Sequence, residues 1–330
     1  MSSLQTSGRL RLLGRSRVQV TRLALGAAPL GNLFTQVGDD EARATVDAAW
    51  EAGVRTFDTA PHYGLGLSER RLGAALRERP RDAYTLSTKV GRLLRPKHDP
   101  TGNDLAHGFA VPATHERVWD FSADGVRRSI EESLTRLGLD RIDIAYLHDP
   151  DDHERQAFAT GYPALERLRA EGVVRAIGAG MNQTAMLTRF LRETDVDVVL
   201  LAGRYSLLDR SGGDALLPEA ERRGASVLVG GVFNSGLLAD PRPGATFDYA
   251  PASPQLLERA LRLKALCAEY DVPLRAAALQ FPLRQRAVAG VLVGARTPAE
   301  IADARTMLDV RVPDALWDAL DAYAHEWVTA

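Results

Sequence analysis

Short, mostly apolar runs alternate along the chain with longer stretches in which apolar positions return every three or four residues. A run apolar at odd and even positions alike is buried on both faces, as in a parallel sheet under helices. A return every three or four residues marks a helix with one buried face. The runs are LALGAAP (23–29), RTFDTA (55–60), AYTLSTKVG (83–91), RIDIAYLHD (141–149), VVRAIGAG (173–180), VDVVLLAG (196–203), ASVLVGGV (225–232) and VAGVLVGA (288–295). Helices are expected over 39–53, 67–79, 122–138, 162–171, 183–193, 213–223, about 254–270 and 298–307, with Ser68 and Ser122 capping the second and third. Eight strand–helix units in one sheet favour a closed (β/α)8 TIM barrel over an open doubly wound sheet. RLRLLGRSRVQV alternates around a glycine and predicts an N-terminal β-hairpin, while 314–328 predicts an extra C-terminal helix. Residues 92–121 read as one long loop. No linker or charge run interrupts the pattern, so residues 1–330 are expected to form a single domain.

Composition narrows the function classes. The net charge of −2 gives no basic field for nucleic acid or an anionic membrane, and no apolar run reaches spanning length. The one cysteine, Cys267, excludes an internal disulfide and the cysteine-based zinc sites, and its helical surroundings predict burial. The arginine-rich N-terminus lacks the apolar segment of a secretory signal, and a cytoplasmic protein is expected.

The barrel gives the polar residues at strand ends a common meaning, because all eight C-terminal ends open on one face. Asp58 ends the second strand, Tyr63 lies in the loop after it, Lys89 stands near the end of the third and His148 ends the fourth. A tyrosine beside a lysine can exchange a proton with a carbonyl or hydroxyl oxygen, and Lys89 is expected to lower the phenol's pKa. Asp58 would hold Lys89, and a neutral His148 would orient the substrate oxygen. No nucleophile elbow stands at a strand end, and a glycosidase would need Asp149 or Asp151 as its second carboxylate. The run HDPDDHE matches no common metal spacing, so no metal is expected. Side chains do not accept hydride, so redox chemistry here needs a bound acceptor, and a nicotinamide would serve.

These residues also carry a resemblance. RTFDTAPHYGLGLSERRLGAAL resembles the signature of the aldo-keto reductases, STKVG their lysine strand and DIAYLHDPD their histidine strand, over about residues 18–327. The resemblance implies a barrel that binds NAD or NADP without a Rossmann fold, with Asp58, Tyr63, Lys89 and His148 as catalytic tetrad. It carries over Phe233, Asn234, Ser235, Gly236 and Leu237 to the pyrophosphate loop, and Gly294, Ala295, Arg296 and Thr297 to the adenosine phosphate end. Asn182 and Tyr205 are the remaining candidates for the nicotinamide side, since Ala202 and Gly230 replace the usual larger residues. Glu300 stands where the family often has arginine or glutamine, which tips the balance toward NAD. IGAGMNQ, LLAGRYSLLD and GGVFNSGLL resemble the aldose 1-dehydrogenases acting on L-fucose, L-galactose or D-arabinose, and the pyridoxal 4-dehydrogenase type is similar in the same stretches. The implied partner is a small sugar or pyridoxal-like substrate. A general aldehyde or ketone reductase and a nicotinamide-binding regulatory subunit are the other readings. In the loop 92–121, His115, Trp119 and Phe121 are expected to cover the substrate.

Overall fold

The computed structural model describes residues 10–328. Eight parallel strands close into a barrel in chain order. They are β1 (Leu23–Gly26), β2 (Thr56–Asp58), β3 (Thr85–Val90), β4 (Ile144–His148), β5 (Ala176–Met181), β6 (Val198–Ala202), β7 (Ser226–Gly230) and β8 (Val288–Gly294). Alternate side chains of each strand serve two different cores. Ala24, Ile144, Tyr146, Val198, Leu200, Leu228 and Leu292 point inward and fill the barrel. Their neighbours Leu25, Phe57, Leu86, Ala145, Leu147, Val199 and Val227 pack outward under the helices. The expected hairpin pairs Arg11–Leu12 with Gln19–Val20, and its Leu13, Val18 and Val20 join the inner core as a plug.

Helix ends follow local chemistry with one exception. Ser122 caps the helix Ala123–Leu137, its hydroxyl accepting from the Gly125 N–H at 3.0 Å. Ser68 does not cap the helix Leu67–Leu76. Gly66, left-handed at φ +81°, is the N-cap, and Ser68 is buried. Its hydroxyl donates to the Ala27 carbonyl at 2.7 Å and meets the Thr59 hydroxyl at 2.8 Å, tying the β1 and β2 loops together. A further helix, Leu274–Gln280, lies between Pro254–Ala268 and β8, and five of its seven residues are buried. It packs against the helix Pro298–Asp309, whereas Pro254–Ala268 packs against the C-terminal helix Asp314–Val328. Cys267 is fully buried in Pro254–Ala268, and burial pushes its thiol up to about 11.

The segment 92–121 is not one irregular loop. Arg92–Pro96 pairs antiparallel with His115–Trp119, and a smaller ladder joins Asn103–Asp104 to Phe109–Pro112. This ribbon rises from β3 over the C-terminal mouth. Among the described residues no helix is long and apolar enough to cross a membrane.

Candidate active site

The ends of β2, β3 and β4 bring three charged or polar side chains together. Asp58 is in register with Ser87, and Tyr146 with Lys89. Asp58 is 2% exposed and accepts from Lys89 Nζ at 2.6 Å and from the Ser87 hydroxyl at 2.7 Å. Lys89 Nζ also donates to the Thr59 carbonyl at 3.0 Å. Burial alone would lower the pKa of Lys89. The charge of Asp58 and the hydrogen bond it accepts outweigh it and hold the ammonium protonated, with its pKa raised.

Tyr63 reaches this pair from the β2 loop. The loop is pressed against the β1 loop, where a Cβ on Gly64 (φ +61°) would lie 2.2 Å from the Gly31 carbonyl oxygen. Lys89 Nζ lies 4.7 Å from the centre of the Tyr63 ring. Burial nevertheless pushes the phenol up to about 12, with Lys89 opposing it and Asp58 adding to it. The expectation that Lys89 sets a lowered phenol pKa is therefore corrected: desolvation is the larger effect, and Asp58 offsets part of the lysine's field.

His148 is 5% exposed, with its ring edge-on to Tyr63 at 5.8 Å. Burial, then Arg92, Lys89, His62 and Arg117, push its pKa well below the usual range, so the ring is neutral. Its Nδ1 is buried without a partner among the described residues, and Nε2 lies 3.5 Å from Asp149 Oδ2. The facing carboxylate favours the proton on Nε2.

Residues that the sequence pattern did not single out complete the surroundings. His62 stands edge-on to His148 at 5.6 Å, and burial followed by Arg92 and Arg117 pushes it down to about 2. Its Nδ1 accepts from Arg117 Nε at 2.5 Å, and the Arg117 fork grips both oxygens of Asp104 at 2.8 and 2.5 Å. Both partners come from the ribbon, so this pair pins it over the mouth. Arg92, just after β3, donates from Nη2 to Asp149 Oδ2 at 2.5 Å. The mouth thus holds three ion pairs around two neutral histidines and a neutral phenol.

Of the three ribbon candidates, only Trp119 lies at the mouth, behind Arg92 with the guanidinium carbon 4.5 Å from its ring centre. Phe121 is fully buried, in the space that a Cβ on Gly91 would invade. His115 sits at the far end of the ribbon opposite Pro96, bonded to the Thr114 hydroxyl at 2.9 Å. Tyr205 likewise faces away from the mouth. It is buried in the outer core against Phe281, 5.0 Å between ring centres.

A groove runs across the ends of β5, β6 and β7, lined by Asn182, Ala202, Gly203, Gly231, Asn234, Ser235, Asp248 and Tyr249. Asn234 donates to the Gly203 carbonyl at 3.2 Å, while its Oδ1 is buried without a partner among the described residues. Asn234, Ser235 and Gly236 are all left-handed, and Leu237 turns into the core while Phe233 packs against it. The turn at Asp248 and Tyr249 covers the groove: the Tyr249 N–H donates to the Ser235 hydroxyl at 3.0 Å and its phenol bonds Asn182. Gly294, the last residue of β8, is exposed; after it Ala295 is buried and Thr297 caps the next helix by accepting from the Glu300 N–H at 3.3 Å. Glu300 in turn accepts from the Arg296 N–H at 2.8 Å and from the Arg296 guanidinium at 3.1 and 2.6 Å. The floor is built of Ala202, Gly203 and Gly231, and the Asn234 oxygen, unpartnered among the described residues, is a ready acceptor for an amide. The chemistry of these residues is compatible with the nicotinamide that the sequence resemblance implies, with Tyr249 and Asp248 lying over the place it would take.

Comparison with known proteins adds independent findings. The model of the Aldo/keto reductase family matches residues 22–325. A D-threo-aldose 1-dehydrogenase from Pseudomonas sp is 47% identical over 306 residues, 91% of this chain and 93% of its own length. A pyridoxal 4-dehydrogenase from Microbacterium luteolum is 43% identical over 328 residues, 94% of this chain and 96% of its own. Among solved structures, the holo form of an aldo-keto reductase from Bacillus halodurans superposes with a TM-score of 0.77 at 27% identity, covering 95% of both chains.

Proposed function

The chain belongs to the aldo-keto reductase family, and from that premise we propose that it oxidises the anomeric carbon of an aldose to the lactone, with NAD as its preferred hydride acceptor. It is an oxidoreductase of a family that works with NAD(P)H. The observation that carries the reading is the buried Lys89–Asp58 pair beside a protonated Tyr63 and a neutral His148. A regulatory binder has no use for that arrangement. The identity to a D-threo-aldose 1-dehydrogenase supports an aldose as substrate.

In this reading Asp58, Tyr63, Lys89 and His148 act together on one oxygen. The anomeric hydroxyl hydrogen-bonds to Tyr63 and His148, and the neutral His148 orients it through Nε2. When C1–H leaves as hydride, the hydroxyl proton passes to Tyr63 in the small fraction of molecules that hold it as phenolate. Lys89, held charged by Asp58, stabilises that phenolate. A bound nicotinamide supplies the hydride acceptor. Asn182, Asn234 and Ser235 would hold the nicotinamide and pyrophosphate side, and Gly294 to Thr297 the adenosine phosphate side. The Arg296 guanidinium is already paired with Glu300, so a 2′-phosphate would meet a carboxylate where NADP binding needs a free cation. We further read the chain as one barrel domain, and its single buried cysteine suits the reducing cytoplasm.

Pyridoxal is the second substrate reading, supported by the 43% identity to a pyridoxal 4-dehydrogenase. Turnover with NAD and NADP against L-fucose, D-arabinose and pyridoxal tests both. The expected result is sugar oxidation with NAD favoured. Turnover of pyridoxal alone would replace the aldose reading, and turnover of none would remove the tetrad's assigned role.

A further inference from the structure

The Arg92–Asp149 pair is built unlike the two ion pairs beside it. Asp58 receives both Lys89 and Ser87, and Asp104 receives both prongs of Arg117. Arg92 instead gives Asp149 one nitrogen, Nη2, and its buried Nε has no partner among the described residues. Asp149 uses only Oδ2 in that bond, and its carboxylate remains 28% exposed at the mouth. The guanidinium thus spends only Nη2 on the pair, beside a carboxylate with a spare acceptor oxygen.

Both members are aimed by other groups. Trp119 backs the guanidinium, and His153 stands 4.7 Å from the Trp119 ring. Asp149 is held left-handed at φ +39°, a conformation that costs a non-glycine residue energy, and its N–H donates to the Gly180 carbonyl at 3.0 Å. The same Oδ2 that binds Arg92 lies 3.5 Å from His148 Nε2. The pair therefore begins one hydrogen bond away from the nitrogen assigned to the anomeric oxygen.

Taking aldose oxidation as the premise, we propose that Arg92 and Asp149 are specificity-determining residues that together read the vicinal diol next to the anomeric carbon. The guanidinium donates to the oxygen at one carbon, and Asp149 accepts the hydroxyl proton at the next. Charge balance favours this ligand chemistry. A lone cation at the mouth would select a carboxylate or phenolate, but a cation already paired with an anion offers a donor and an acceptor at no net charge, which suits a neutral polyol. The nearness to His148 places the diol at C2 and C3.

The test compares kcat/KM for D-arabinose and for 2-deoxy-D-ribose, which lacks the C2 hydroxyl, in the native chain, Arg92→Met and Asp149→Asn. A hydrogen bond to a charged group predicts a native preference for D-arabinose of about 10–100-fold. Asp149, the member nearer His148, takes the C2 hydroxyl, so in Asp149→Asn that ratio should fall to within about threefold, mainly by loss of D-arabinose activity. Arg92→Met, which loses the contact at C3 that both sugars carry, should lower both and keep the ratio. NADH binding, followed by fluorescence, reports whether each variant keeps its fold, and if Arg92→Met does not, Asp149→Asn decides. An Asp149→Asn chain that loses both sugars equally or keeps the native ratio, or an Arg92→Met chain that turns over both sugars at the native rate, overturns the proposal while leaving the aldose reading intact. A native chain that turns over pyridoxal but neither sugar overturns the aldose reading first.

Discussion

Two carboxylate–cation pairs stand at the same end of the barrel and do opposite work. Asp58 and Lys89, at the ends of β2 and β3, are each about 97–98% buried and 2.6 Å apart. Glu300 and Arg296, beyond β8, are also 2.6 Å apart but 36% and 51% exposed. In the buried pair each charge needs the other, since an isolated ion there would carry its full desolvation cost. In the exposed pair water does most of the stabilising, and the mutual attraction adds little. The same chemistry fixes a protonation state in one place and a ligand preference in the other. Distance alone does not separate these roles; burial does.

The sharpest way to break the buried side leaves the pair intact and removes what it serves. Tyr63→Phe keeps the ring that packs against Phe109 and His148 but deletes the proton acceptor. Turnover should fall by about 10²–10⁴-fold, with NADH binding and melting temperature close to native. A variant within about tenfold of the native rate would show that another group takes the proton.

Lys89→Met attacks the pair itself and should change stability and rate together. Asp58 keeps Ser87 but loses its counter-charge, and breaking a buried pair typically costs about 3–5 kcal/mol. The pH dependence carries the second signature. Tyr63 is protonated up to about 12, so the phenolate fraction, and with it the oxidation rate, should rise with pH through 7–9 without a plateau. Lys89 opposes the upward shift, so removing it moves the rise to still higher pH. Profiles of kcat/KM from pH 6 to 10 in both chains, beside denaturant melts, check this. A native plateau near neutrality, or profiles that superpose, would exclude a phenol tuned by Lys89.

The contrast between the two regions also explains what was readable from the residues. Eight apolar runs define eight strand ends, and strand ends define the mouth, so Asp58, Lys89 and His148 could be placed together without coordinates. The ribbon offered no such frame. Which face His115, Trp119 and Phe121 present depends on how Arg92–Pro96 pairs with His115–Trp119, a register set by contacts far apart in sequence. The RLLRP and HERVW stretches alternate enough to suggest strands, but that signal was submerged in thirty irregular residues. His62, Arg92 and Arg117 stayed hidden because each is recognisable only by its partner, and the partners come from other elements. The helix Leu274–Gln280 has almost no polar face to mark it, since it is buried nearly all round. Tyr205 had the right residue type and the right strand end, but its side chain turned to the helix layer.

The smallest expected effect lies at the exposed pair, and it is informative because stability should not move. Glu300→Gln leaves the Thr297 cap in place, since the cap uses the Glu300 backbone N–H and not its carboxylate. An exposed ion pair contributes about 0–1 kcal/mol, so melting should be nearly unchanged. Losing the carboxylate frees the Arg296 guanidinium, which then offers NADP a counter-charge in place of a repulsion. A change of about 1.4 kcal/mol at the 2′ position is tenfold in relative affinity, so the ratio of kcat/KM for NAD over NADP should fall by roughly that factor. The sugar side should be indifferent, with KM for D-arabinose unchanged at saturating NAD. Cofactor titrations of the native chain and Glu300→Gln, read beside thermal melts, separate the outcomes. A lost fold would mean the exposed pair is structural after all. An unchanged NAD to NADP ratio with an intact fold would mean that Arg296 and Glu300 do not meet the cofactor's 2′ group.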